Sequence, residues 1–199
     1  ENATILDLAC GKGRHSLYLN NIGYDVTGLD LSKQSISEAK QKKNERLCFD
    51  VHDMSTPYFK QFDAVFNLFT SFGYFDCDED NLNTIKAIKA NLKRNGVGVI
   101  DFMNIDVVKN SLKQDDMKTV DGIDFYLKRS VNNGYIVKDI TFNFKGQDFS
   151  FYERVKAFTL NDFKVMFEQA QLTLLDVFGD YQLNTFNKHN SERLIMIFM

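Results

Sequence analysis

Residues 4–19, TILDLACGKGRHSLYL, constrain this 199-residue chain more than any other stretch. An apolar run of Ile5, Leu6, Leu8 and Ala9 is interrupted by one carboxylate, Asp7. The glycine-rich turn Cys10-Gly11-Lys12-Gly13 follows, and residues 14–20 carry helix-compatible side chains with apolar Leu17 and Leu19. This order predicts strand, tight turn, helix. The glycines permit a sharp bend and the close approach of a ligand. The helix start leaves unpaired N–H groups and a partial positive charge at the same spot, which suits a carboxylate or a phosphate. A lone Gly-x-Gly is equally the mark of an ordinary strand-to-helix turn, so the rest of the chain must decide.

Gly23 reads as a helix stop. Residues 24–30, YDVTGLD, read as a second strand ending in an acid. Ser32 caps a helix running to about Lys43, with Ile36 and Ala39 inward. Residues 47–53 form a third strand that also ends in an acid, and residues 62–69, FDAVFNLF, a fourth. Residues 80–92 place Leu82, Ile85, Ile88 and Leu92 at helical spacing, with Asn95-Gly96 as the stop. Residues 97–102 are a fifth strand. Alternating strands and helices, with near-continuous apolar strands, predict a parallel sheet covered on both faces. Ligands in such sheets sit outside the C-terminal strand ends.

The pattern then changes. Residues 118–158 read as an antiparallel three-strand insert with turns at Asn132-Asn133-Gly134 and Lys145-Gly146. Ile136, Ile140, Phe142 and Phe144 share one parity, interrupted by Lys138. The insert is expected to be a lid or a dimer face, although its aromatics, including Tyr126, Phe151 and Tyr152, also suit plain hairpin core. Thr159-x-x-Asp162 predicts a capping box for a last helix with Phe163, Met166, Phe167 and Ala170 on one face. Residues 172–178 and 193–199 read as two final strands. The polar loop 179–192 between them is either surface or the rim of a pocket.

Composition excludes several classes. The net charge is −3 with acids and bases interspersed, so no basic stripe for nucleic acid is expected. Lys40, Lys42 and Lys43 complement a helix end. Cys10, Cys48 and Cys77 are scattered without Cys-x-x-Cys or a histidine cluster. That argues against a metal site or a disulfide framework and fits a reducing cytoplasm. No apolar run approaches the roughly 20 residues of a membrane span, and no secretory leader is expected.

The acids carry the chemistry. Asp7 lies inside the first strand, Asp30 ends the second and Asp53 ends the third, so a parallel sheet lines them along one cleft. Asp30 follows the first acid by about two dozen residues, where a βαβ unit holds ribose hydroxyls; otherwise it caps the next helix. Such charge-assisted hydrogen bonds contribute roughly 1.5–3 kcal/mol each. Asp53 is placed for an adenine amino group with Met54 against the ring, or else is a surface turn acid. Asp7 needs turn N–H groups or a cationic ligand, because a buried unpaired carboxylate is costly. Dinucleotide binding prefers a third glycine where Ser16 stands. A cationic nucleoside with an amino-acid tail fits better: sulfonium and ammonium groups want carboxylates, and the tail carboxylate wants the helix start and Arg14.

These segments together resemble the class I S-adenosylmethionine-dependent methyltransferases. LDLACGKGRHSLYL is similar to their glycine-rich motif, VTGLDLS to the ribose segment, HDM to the adenine segment, FDAVFNLFTSFGYF to the fourth-strand motif of a bacterial small-molecule branch, and RNGVGVIDFMN to the fifth strand. The resemblance implies a Rossmann-like, mostly parallel seven-stranded sheet with a reversed last strand, in a single domain over residues 1–199. It implies S-adenosyl-L-methionine as cofactor and S-adenosyl-L-homocysteine as product. Gly11 and Gly13 would approach the methionine moiety, Asp30 would bind the ribose, Asp53 and Met54 would hold the adenine, and Leu31 would also be cofactor-binding. Asn67 would meet the amino group through its backbone carbonyl. Lys12 departs from the usual Thr or Ser. The cofactor-covering helices that family members carry upstream are not seen ahead of Glu1.

The implied reaction is in-line methyl transfer to an N, O or C nucleophile of a small-molecule acceptor, in which alignment contributes roughly 7–11 kcal/mol. Ser71, Phe72 and Tyr74 are expected on the acceptor side. Tyr74, His15, Asp76 and His189 are candidates for a base. Neither nucleic acid nor a membrane is an expected partner, and the chain is expected as a monomer or a homodimer through the insert. Action on RNA or protein, or non-catalytic nucleotide binding, are the alternatives.

Overall fold

The computed structural model describes residues 3–199. Its elements are β1 (Thr4–Leu8), α1 (Arg14–Asn21), β2 (Asp25–Asp30), α2 (Lys33–Ala39), β3 (Leu47–Val51), β4 (Phe62–Asn67), α3 (Asp78–Asn91), β5 (Leu92–Met103) and α4 (Ile105–Ser111), followed by β6 (Asp115–Val120), β7 (Ile123–Asn132), β8 (Tyr135–Phe144), β9 (Gln147–Lys156), α5 (Leu160–Gln169), β10 (Leu174–Phe178) and β11 (Arg193–Phe198). Seven strands form a Rossmann-like sheet in the order β10-β11-β5-β4-β1-β2-β3. Strands β1 to β5 pair in parallel. Strand β11 runs antiparallel to both neighbours.

Strand β1 is buried on both faces, which explains its apolar run. Leu6 and Leu8 join a large core with Phe62, Phe102, Phe163 and Phe198. Ile5, of opposite parity, joins Val26, Ile36, Leu47 and Phe49 in a second core. Helix α2 is capped as expected, Ser32 accepting from the Ser35 N–H. Both halves of the Thr159–Asp162 capping box form at α5.

Three boundaries differ from the sequence reading. Strand β3 ends at Val51, so Asp53 lies in the following turn rather than on the strand. Strand β4 ends at Asn67. Strand β5 already starts at Leu92, and Asn95-Gly96 belongs to an irregularity in its pairing with β4, not to a helix stop. There a Cβ on Gly96 would stand 2.9 Å from the Phe62 carbonyl oxygen.

The insert has four strands, not three, in the sequential order β6-β7-β8-β9. The missed strand, DDMKTV, is polar and mostly exposed, so it lacks the alternation that marked its neighbours. Phe142 is the centre of one face, with ring centroids 4.7 Å from Phe125, 5.0 Å from Phe149 and 5.9 Å from Phe151. The base of the insert is tied to the segment after β4. The Lys156 N–H donates to the Gly73 carbonyl at 2.8 Å, Arg154 pairs with Asp76 and Lys156 with Asp78.

Candidate cofactor and acceptor site

The turn after β1 is built from left-handed residues: Ala9 at φ 62°, Gly11 at 56° and Gly13 at 76°. The Cys10 N–H reaches the Leu29 carbonyl at 2.9 Å and the Gly13 N–H the Cys10 carbonyl at 3.0 Å. The Gly11 N–H donates to Asp30 Oδ2 at 2.8 Å, and the Ser32 N–H donates to Asp30 Oδ1 at 2.8 Å. Asp30 therefore stitches the turn after β1 to the turn after β2, while each carboxylate oxygen keeps a further acceptor direction.

The two glycines differ. A Cβ on Gly11 would meet nothing within 4 Å, whereas one on Gly13 would stand 2.5 Å from the Phe49 ring. Gly11 faces open space. Gly13 is wedged against Phe49 of β3 on the side where a Cβ would stand.

Asp7 also departs from expectation. It is 2% exposed and accepts the Ser16 hydroxyl at 2.5 Å. Its acid anchors α1 from below rather than facing a ligand, and it does not line the cavity described next. Burial raises the Asp7 carboxyl above its ordinary value, and the Ser16 hydroxyl opposes that shift.

A cavity of about 270 Å³ opens at the C-terminal strand ends. Asp30, Leu31, Asp53 and Met54 wall one side, and Ser71 and Tyr74 another. Ala9, His52 and Phe75 also line it; Ala9 lies in the glycine-rich motif, His52 in the HDM segment and Phe75 in the fourth-strand motif. Asp53 Oδ1 accepts the amide and hydroxyl of Ser55 at 2.9 and 2.8 Å, which fixes the turn. Asn67 is fully buried. Its Nδ2 donates to the Leu8 carbonyl at 3.0 Å, and its Oδ1 has no partner among the described residues.

One acceptor-side candidate, Phe72, and three candidates for a base, Asp76, His189 and His15, lie away from this cavity. Phe72 is fully buried and packs on Phe163 at 5.2 Å; it belongs to the core, because the chain turns inward between Ser71 and Gly73. Asp76 is exposed and held by Arg154, which makes it an anchor for the insert. His189 is exposed on the 179–192 loop, with its N–H on Asn187. His15 stacks on Phe69 at 4.8 Å. None of these four lines the cavity. Tyr74 does, and burial pushes its hydroxyl up, with Glu153 adding to the shift. Arg14 lies over the same Phe69 ring, 5.0 Å from its centroid.

Among the described residues no group of three or more His, Cys, Asp or Glu is arranged to hold a metal ion, and no helix is long and apolar enough to cross a membrane.

Residues 5–96 match the family model described as a methyltransferase domain. The putative methyltransferase YqeM of Bacillus subtilis is 38% identical over 105 residues, which cover 51% of this chain and 42% of that protein. The chain thus spans less than half the length of this curated relative. An S-adenosylmethionine-dependent methyltransferase from Clostridium acetobutylicum has the same fold, with a TM-score of 0.84 at 23% identity, over 98% of this chain and 82% of that one. CalS10, an amino pentose methyltransferase from Micromonospora echinaspora solved with S-adenosylmethionine bound, aligns with a TM-score of 0.76 at 20% identity, over 100% of this chain and 83% of that one.

Proposed function

We propose, from the match of residues 5–96 to the methyltransferase-domain family model, that this chain is an S-adenosylmethionine-dependent methyltransferase acting on a small molecule. The observation that carries the reading is the Asp30–Gly11 stitch beside a cavity lined by Asp30, Asp53 and Met54. The residues present fit the cofactor. Gly11 leaves room at its Cα, and the partnerless, buried Asn67 Oδ1 is an acceptor suited to an ammonium group.

When bound, the cofactor supplies an electrophilic methyl group on a sulfonium, with S-adenosylhomocysteine as product. The chain's own residues bind and orient. Asp30 offers its remaining lone pairs to ribose hydroxyls. Asp53 and Met54 wall the adenine side. The first-turn amides of α1 and the Arg14 guanidinium attract the tail carboxylate. Tyr74, whose phenol is protonated at neutral pH as any tyrosine near its ordinary value is, orients an acceptor as a hydrogen-bond donor and does not serve as the base.

A small acceptor is supported by the amino pentose in the name of CalS10. The single-domain reading, with the insert as a lid, is supported by the ties from Gly73, Asp76 and Asp78 to the base of the insert. Free thiols at Cys10, Cys48 and Cys77 support a cytoplasmic location. Calorimetric titration with S-adenosylhomocysteine and, separately, with NAD tests the cofactor. Heat with the first and none with the second is expected; the reverse overturns the assignment.

A further inference from the structure

Asp101, near the end of β5, is 2% exposed and gathers donors from distant parts of the chain. Arg193 donates to its Oδ1 through Nε at 2.8 Å and pairs with the same oxygen through Nη2 at 2.8 Å. Tyr181 donates its hydroxyl to Oδ2 at 3.1 Å, and the Phe69 N–H reaches the same oxygen at 3.2 Å. The Asp101 backbone carbonyl accepts the Thr70 N–H at 3.1 Å. Arg193 Nη2 also donates to Thr70 Oγ1 at 3.2 Å.

Three of these bonds converge on Phe69 and Thr70, both left-handed, at φ 59° and 58°. A bulky and a β-branched residue rarely adopt that conformation, and it persists only where the surroundings over-determine it. The Asp101 node supplies that constraint. Its consequence is the direction of Phe69, whose ring is carried back over the first turn of α1. There it stacks on His15 at 4.8 Å and lies beneath the Arg14 guanidinium. Tyr181 borders the same ring at 6.1 Å.

We propose that Asp101, through Arg193 and Tyr181, is a positioning residue for the amino-acid end of the cofactor: it fixes Phe69 against Arg14 and His15 where α1 receives the tail carboxylate. This rests on the cofactor reading above. The adenine and ribose side, held by Asp30, Asp53 and Met54, lies outside the node's reach, so the two ends of the ligand respond separately.

Calorimetry with two ligands tests this. S-adenosylhomocysteine carries the amino-acid end and 5′-methylthioadenosine lacks it. Asp101→Asn is expected to weaken S-adenosylhomocysteine about tenfold and Tyr181→Phe about threefold, with methylthioadenosine held within about twofold. Unchanged S-adenosylhomocysteine affinity in Asp101→Asn, or equal weakening of both ligands, overturns the proposal. Should Asp101→Asn melt below the assay temperature, Phe69→Gly decides by the same criterion, since it removes the ring and relieves the left-handed backbone. Wild-type protein that binds neither ligand sinks the cofactor reading and this proposal with it. Wild-type binding with the wrong variant pattern sinks this proposal alone.

Discussion

Ser16 donates its hydroxyl to Asp7 across 2.5 Å, and the two side chains are 0% and 2% exposed. A carboxylate inside a strand buried on both faces needs donors, and the first two turns of α1 bring one directly over it. The residue that breaks the dinucleotide glycine pattern is therefore the partner of the acid that seemed out of place in its strand.

Ser16→Ala is expected to destabilise the fold by about 1–3 kcal/mol in urea unfolding at neutral pH. Burial raises Asp7 above its ordinary value of 3.8, so the folded state favours the protonated acid. The stability this confers is present below that value and is lost as pH rises above it. Ser16 limits the loss. The urea midpoints of variant and wild type should therefore draw together toward pH 4 and separate above it. A constant separation would show that Ser16 does not act on the ionised acid.

The two turn glycines should fail in different ways. Gly13→Ala combines a left-handed penalty with a clash against Phe49, a loss of roughly 2–5 kcal/mol. Adding Phe49→Leu should return only the part due to the clash. Gly11→Ala meets no neighbour and should lose about 1–2 kcal/mol, while S-adenosylhomocysteine binding falls because the methyl group enters the open space. Paired urea and calorimetric titrations separate the two; equal stability losses in both variants would contradict the assignment.

Asp30→Ala removes two backbone partners as well as the ribose acceptor. Affinity for S-adenosylhomocysteine should drop about tenfold or more. Asp30→Asn can restore an acceptor toward only one of the two amides, so it should recover part of the loss. Unchanged affinity in Asp30→Ala would mean that the ribose lies elsewhere.

Asp76→Asn should behave as the loss of an exposed ion pair, with a stability change below about 1 kcal/mol and a contribution already screened at high salt. S-adenosylhomocysteine affinity should stay within about twofold. A large drop would place Asp76 at the ligand.

What was legible in the sequence was what local chemistry decides. The Gly-rich turn, the acids at Asp30 and Asp53, the Ser32 cap, the Thr159–Asp162 box and the hairpin turns each follow from a few adjacent residues. Phe72 could not be read that way: a phenylalanine between Ser71 and Gly73 looks like a loop residue until the loop's inward turn is known. The Asp101 node was hidden for a different reason. Its partners Tyr181 and Arg193 lie 80 and 92 residues away, and no periodicity connects them. Strand β6 was missed because a polar strand carries no alternation.

The position of β11 between β10 and β5 has a consequence for the order of synthesis. Its partner β5 is complete at Met103, yet that edge must wait for residues 193–198 to emerge. Through that interval the chain is making the insert, whose pairings are all between successive strands and so close quickly. A nascent chain halted before Arg193 would carry a finished meander beside an apolar sheet edge open to aggregation.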